Sequence, residues 1–258
     1  VVMNNSPIDI DKLIEGTNEI LTANRNSLQL FDMLHSMRQF DDLTYVHSVN
    51  VALIASILGQ WLKFSEKDIR ILTISGLLHD IDKIMIPNEI LTKPGKLTVA
   101  EYNIMKQHVN FGYEKVKNQN IDIRIKEACL LHHEKCDGTG YPFGLKSDHI
   151  PAVAKIIAIA DVYDAMTSAR VYRGALCPFE VIDTMYKDAF TKFEPEYILP
   201  FLKNVASSYI NNDVRLSDGR IGKVVLINEN ALSLPIVQCE DEFIDLSKTR
   251  GLTVSAIL

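Results

Sequence analysis

No stretch of this chain is apolar for long enough to span a bilayer. The best run, Ile150 to Ala160, is interrupted by Lys155 and falls well short of the ~20 apolar residues a membrane helix needs. The first residues carry neither the basic start nor the apolar core of a secretory signal. A basic surplus is missing too: 27 Lys and Arg face 33 Asp and Glu, for a formal net charge of −6. That excludes bulk nucleic-acid binding, which needs a basic surface, but leaves room for a small anionic ligand held by a few local cations. Cys129, Cys136, Cys177 and Cys239 contain no CxxC pair and read as reduced thiols rather than a disulfide framework. These absences predict a soluble, cytoplasmic protein without membrane contact.

What is present is helical pattern. At 258 residues and 47% hydrophobic content, the chain can build one sizeable core with a small appendage. Residues 1–40 carry two short helical patterns, Ile8–Thr22 and Asn26–Met37, expected to pad the following domain or to pair two chains as a homodimer. From Asp41 to Lys63 an amphipathic pattern places Val46, Val49, Leu53, Ile54, Ile57 and Leu58 largely on one core face and carries His47. Ser65-x-x-Asp68 opens a further helix that ends in His79-Asp80, and Thr98-x-x-Glu101 opens another with His108 expected near its middle. Ile150 to Ser168 reads as a buried helix bearing Asp161 and Asp164, about one turn apart on one face. Pro178 and Pro195 sit at two more helix starts.

After about residue 208 the pattern changes. Val214–Ser217 and Ile221–Ile227 flank Asp218-Gly219, a hairpin signal, and Leu234–Gln238 and Phe243–Leu246 are strand-like. The expected architecture is therefore mainly α: a segment 1–40, a helical bundle over 41–208, and a small β-rich appendage over 209–258.

Chemistry concentrates in His132-His133-Glu134-Lys135-Cys136-Asp137-Gly138-Thr139-Gly140-Tyr141-Pro142. Adjacent helical residues point about 100° apart, so two neighbouring histidines converge on one ion only where the helix ends and the chain turns. Neutral imidazole is the commonest metal ligand. On that stretch alone, two solvated surface histidines before a loop fit equally well. Elsewhere, Asp80 at the end of an apolar helix and Asp161 among Ile156, Ile157, Ile159 and Ala160 are carboxylates that must be protonated, paired or metal-bound.

Taken in order, HDIDK at 79–83, IPNEILTKPGKLT at 86–98, HHEKCDGTGYP at 132–142 and ADVYDAMTSARVYR at 160–173 resemble the HD-GYP family, a branch of the HD-domain metal-dependent phosphohydrolases. The likeness covers roughly residues 41–207. It implies an HD-domain helical bundle holding two divalent metal ions. One ion would take His47, His79, Asp80 and Asp161; the other would take His108, His132 and His133, with Asp80 shared. A donor set without thiolate suits Fe or Mn, with Ni or Zn as alternatives, and leaves Cys136 a bystander.

The implied reaction is hydrolysis of cyclic di-GMP to pGpG and on to GMP by a metal-bridging hydroxide. Asp80 and Lys83 would act at the reacting phosphate, Asp164 would orient a ligand or the nucleophile, and Arg170, Arg173 and Lys83 would hold the substrate phosphates. The loop at 140–142 would border the pocket or dock a protein partner. The alternatives are a cyclic di-GMP-binding signalling module with little turnover, and HD-type hydrolysis of another nucleotide.

Three positions depart from the family pattern. Leu43 stands where some members carry a glutamate for a third metal, which predicts two ions. Asp82 replaces a usual glycine, and either alters local charge or faces solvent. Phe193-Glu194-Pro195 replaces Phe-Asp-Pro, retaining the acid before proline.

Overall fold

The computed structural model describes residues 43–168 and 175–258. The expected N-terminal helices, Arg170 and Arg173 lie outside the described residues. Two compact units divide the chain, one running up to Asp164 and including Thr191–Phe193, the other formed by Ala165–Phe190 and Glu194–Leu258.

The first unit is built on α1 (Leu43–Trp61), whose Val51, Ala52, Leu53, Ala55 and Leu58 are wholly buried. Helix α2 (Glu66–Leu78) starts at Ser65, which accepts the Asp68 N–H at 3.2 Å and donates its hydroxyl to the Asp68 carboxylate at 2.6 Å. The two helices meet backbone to backbone: a Cβ on Gly76 would sit 2.4 Å from Ala52 Cα, closer than any side chain tolerates. Only glycine allows that approach.

Helix α2 stops at His79, and a 3-10 turn (Lys83–Met85) and the short α3 (Asn88–Leu91) follow. Helix α4 (Val99–Met105) opens on a complete capping box, with Thr98 N–H donating to Glu101 at 2.7 Å and Glu101 N–H donating to Thr98 Oγ1 at 3.3 Å. His108 is not mid-helix. Helix α4 ends at Met105 and α5 (His108–Val116) begins at His108 itself. The chain tightens there through Gln107 N–H to Ile104 O and Asn110 N–H to Gln107 O, both 3.0 Å, and the His108 ring donates to the Met105 carbonyl at 2.8 Å. Such three-residue bonds mark a 3-10 step between α-helical segments. Helix α6 (Ile123–Leu131) ends at His132, and α7 (Ala152–Thr167) carries Asp161 and Asp164.

The second unit holds α8 (Pro178–Asp188) and α9 (Pro195–Ser208), each opening on its proline as expected. A five-stranded antiparallel sheet follows, ordered β4-β3-β2-β1-β5, from β1 (Asp213–Leu216), β2 (Ile221–Leu226), β3 (Ile236–Cys239), β4 (Glu242–Asp245) and β5 (Val254–Ile257). The fifth strand goes beyond the sequence reading. It pairs Val214 with Ile257 and Leu216 with Val254, turning β1 into an interior strand. Among the described residues no helix is long and apolar enough to cross a membrane.

Candidate metal centre

Helix ends, rather than helix middles, deliver most of the expected ligands. His79 caps α2, His108 starts α5, His132 caps α6 and His133 follows it, while His47 and Asp161 project from within α1 and α7. The glycine contact between α1 and α2 brings the His47 and His79 rings to 5.2 Å between centroids. His132 lies 5.0 Å from His79 and 5.6 Å from His108, and His133 lies 5.0 Å from His108.

Asp80 divides this cluster. Its Oδ2 lies 3.1 Å from His79 Nε2 and 3.5 Å from His47 Nε2. Its Oδ1 lies 3.4 Å from His108 Nε2 and 3.8 Å from His132 Nε2. Two groups able to hold an ion result, His47/His79/Asp80 and Asp80/His108/His132/His133, the potential ligand atoms within each lying inside 4.8 Å of one another. Asp161 belongs to neither group but reaches both, with Oδ1 3.1 Å from His47 Nε2 and Oδ2 3.9 Å from His133 Nδ1. Cys136 is in neither group.

The outward-facing ring nitrogens are fixed by what they touch. His79, His108 and His132 donate from Nδ1 to the carbonyls of Gly76, Met105 and Ala128 at 2.7, 2.8 and 3.0 Å. A carbonyl only accepts, so the proton sits on Nδ1 and the Nε2 lone pair turns inward. His47 is held differently: its Nδ1 lies 2.7 Å from Asp164 Oδ2, and Asn50 donates to Asp164 Oδ1 at 2.9 Å. Lys83 pairs with Asp80 Oδ2.

Whether these residues suit a metal is tested by what is left unmet. Nε2 of His47, His79, His108 and His132 and Oδ1 of Asp80 are buried without a hydrogen-bond partner. Such orphans cost about 1–3 kcal/mol each when nothing satisfies them, and here they converge. Four imidazole nitrogens and a carboxylate oxygen, with no sulfur, are the donor set of a borderline divalent cation. The residues fit two such ions.

Protonation follows burial and neighbours. Burial pushes the His132 and His133 imidazoles down, helped at His132 by its neighbours His133 and His79 and at His133 by His108; His133 falls to about 3, and burial lowers His108 as well. Burial also acts on His47, but contacts with Asp161, Asp164 and Asp80 outweigh it and raise its pKa. Burial would push Asp80 up; the proximity of His79 and of the Lys83 ammonium, with His47 close by, instead holds it well below the usual carboxylate range. Asp161 is likewise held down against burial, chiefly by His47.

Asp82 is buried, at 6% exposure, rather than facing solvent; burial raises its carboxyl pKa, opposed by the charge of Lys115. Two residues escaped the sequence reading. Asn50 lies three positions after His47, on the same helix face, which was a usable signal. Glu134 is buried at 4% exposure directly after the paired histidines, and only an acidic residue flanking a turn hinted at it.

A helical bundle thus carries a His/Asp cluster split about the two oxygens of one shared carboxylate. Residues 15–197 match the HD domain family. The chain is 36% identical over 203 residues to a cyclic di-GMP phosphodiesterase of Pseudomonas aeruginosa, covering 78% of this chain and 49% of that one. It is 35% identical over 197 residues to the cyclic di-GMP phosphodiesterase response regulator RpfG of Xanthomonas campestris pv. campestris, covering 76% and 52%. A solved HD-GYP-type protein of Bdellovibrio bacteriovorus shares the fold at a TM-score of 0.61 and 21% identity, covering 74% of this chain and 60% of that one. The chain belongs to the HD domain family, and within it to the HD-GYP branch. It spans about half the length of the curated relatives it matches.

Proposed function

We propose that this chain is a dinuclear-metal phosphodiesterase that hydrolyses cyclic di-GMP to pGpG, GMP or both. The observation that carries the reading is Asp80, whose two oxygens face two imidazole groups while nitrogens on both sides stay buried and unpartnered. His47, His79, Asp80 and Asp161 would hold one ion, and His108, His132, His133 and Asp80 the other, with Fe or Mn preferred. Two such ions supply Lewis acidity and a water of lowered pKa.

The chain's own residues do the rest. Asp80 is ionised and shared, so it keeps negative charge between the two nitrogen sets. Lys83, paired with Asp80, brings a cation to the edge of the cluster, where a substrate phosphate would gain charge. Asp164 orients the His47 ring through Nδ1. Arg170 and Arg173, which come after α7 in the sequence, would clamp phosphodiester oxygens, as a guanidinium offers paired N–H donors. Residues 41–208 would carry this chemistry and 209–258 none. Four cysteines joined in no disulfide suit a reducing cytoplasmic setting.

The test is incubation of anaerobically purified, Mn- or Fe-loaded protein with cyclic di-GMP. Release of pGpG or GMP by the wild type, and its loss with Asp80→Ala, is the expected result. Tight binding of cyclic di-GMP without product would instead favour a signalling module, a reading supported by Asp82, a buried acid where the family usually has glycine. Product only from another cyclic dinucleotide would move the substrate assignment and leave the metal chemistry standing.

A further inference from the structure

Four of the five clustered histidines are oriented by a hydrogen bond at Nδ1, to Asp164, Gly76, Met105 or Ala128. His133 is the exception. Among the described residues neither of its ring nitrogens has a hydrogen-bond partner; its nearest carboxylate oxygen, on Asp161, is 3.9 Å away. What fixes its ring is a neighbour's face. Tyr141 stacks on it, 4.7 Å between centroids and 28° between planes, and the Tyr141 N–H donates to the His133 carbonyl at 3.2 Å.

Tyr141 comes from a loop that is itself tied down from inside. The Glu134 carboxylate accepts the N–H groups of Phe143 and Gly144 at 2.7 and 3.1 Å on Oε1, and that of Leu145 at 2.8 Å on Oε2. Three consecutive amides on one buried carboxylate leave the far limb of the loop no freedom to slide. Its near limb is pressed on the same residue: a Cβ on Gly140 would fall 2.4 Å from Glu134 Cα. The loop therefore wraps Glu134, and Tyr141, between its two limbs, is delivered onto His133.

We propose that Glu134 is a positioning residue, a buried latch that holds Tyr141 against His133 and so presets the one imidazole of the cluster that lacks a hydrogen-bonded support. The inference rests on His133 being a metal ligand, and it predicts that the His108/His132/His133 half of the site depends on a loop contact that the His47/His79 half does not need.

The experiment compares Glu134→Gln, Tyr141→Ala and Tyr141→Phe in the full chain, measuring Mn2+ bound per chain across a dialysis series. Glu134→Gln and Tyr141→Ala should weaken one of the two ions by about 10–100-fold, the range seen when outer supports of a metal ligand are removed, and spare the other. Tyr141→Phe keeps the stack and should bind both as the wild type does. Ring resonances of His133 in metal-free protein, read by 1H–15N NMR, should shift in Tyr141→Ala while those of His79 stay put. Wild-type uptake of both ions by Tyr141→Ala would overturn the inference. So would loss of an ion in Tyr141→Ala but not in folded Glu134→Gln. Should Glu134→Gln fail to fold, the Tyr141 pair decides. A wild type that binds no Mn2+ at all would defeat the metal-centre reading, and the His133 resonances would still decide the latch.

Discussion

The two halves of the cluster share Asp80 but are built from different chemistry. On one side His108 and His132 are buried and His133 partly so, all three kept neutral by desolvation and supported by backbone carbonyls or an aromatic face. On the other, His47 sits between Asp161, Asp164 and Asp80, which favour its charged form. The first half offers lone pairs already bared; the second must shed a proton before His47 Nε2 can take a cation. Ion and proton compete on one side of Asp80 and hardly at all on the other.

Removing the shared group is the most drastic way to erase this difference. Asp80→Ala should abolish turnover and the retention of both ions, read by elemental analysis and product assay together; retention of one ion would mean the halves are more independent than the geometry implies. Next come the separate halves. His132→Ala and His47→Ala should each lower the stoichiometry from two ions to one, and a variant keeping both would show that its histidine is no ligand.

Asp164→Asn, which withdraws negative charge from His47 Nδ1, should weaken the His47-side ion by about 10–100-fold and leave the other isotherm unmoved. Equal weakening of both would argue that Asp164 supports the bundle generally. Asn50→Ala, one bond further out, should follow the same pattern with a smaller effect.

The pH dependence of the metal-free protein sharpens the contrast further. His47, with a raised pKa, stabilises the fold fully below pH 6.5 and loses that contribution as pH rises through its folded value. His108, His132 and His133 act oppositely: below pH 6.5 the unfolded chain binds protons that the native chain refuses, down to about 3 for His133. Three groups oppose one, so the melting temperature of metal-free protein should fall between pH 7 and 5. A rise on acidification would show that His47 dominates. With Mn2+ present, the His47-side ion should be released first as pH drops.

Much of this was written openly in the chain. The His and Asp positions could be named because four motifs, in their order along the chain, resemble the HD-GYP family; helix pattern alone singled out only the carboxylates Asp80 and Asp161 among apolar neighbours. The Thr98/Glu101 start was legible for a local reason, a short-range bond between residues three apart. The break at His108 was not. No proline or glycine interrupts Val99 to Phe111, and the step arises where the His108 ring meets a carbonyl of the preceding turn. Strand β5 escaped because Val254–Ile257 is short and half-exposed, with its pairing partner some forty residues earlier. Glu134 was unreadable as a latch, since its three donors become neighbours only once the loop has closed.

The Gly76–Ala52 contact reaches further than its size suggests. It contains no ligand and no charge, yet one added methyl would have to prise the His47 helix from the His79 helix, and the Gly76 carbonyl also steers the His79 ring. Inactivating changes in this protein therefore need not strike a histidine or an acid. A random mutagenesis screen should recover dead variants at position 76 as readily as at the cluster itself, and a map of such variants would trace the spacing between two helices as well as the chemistry between them.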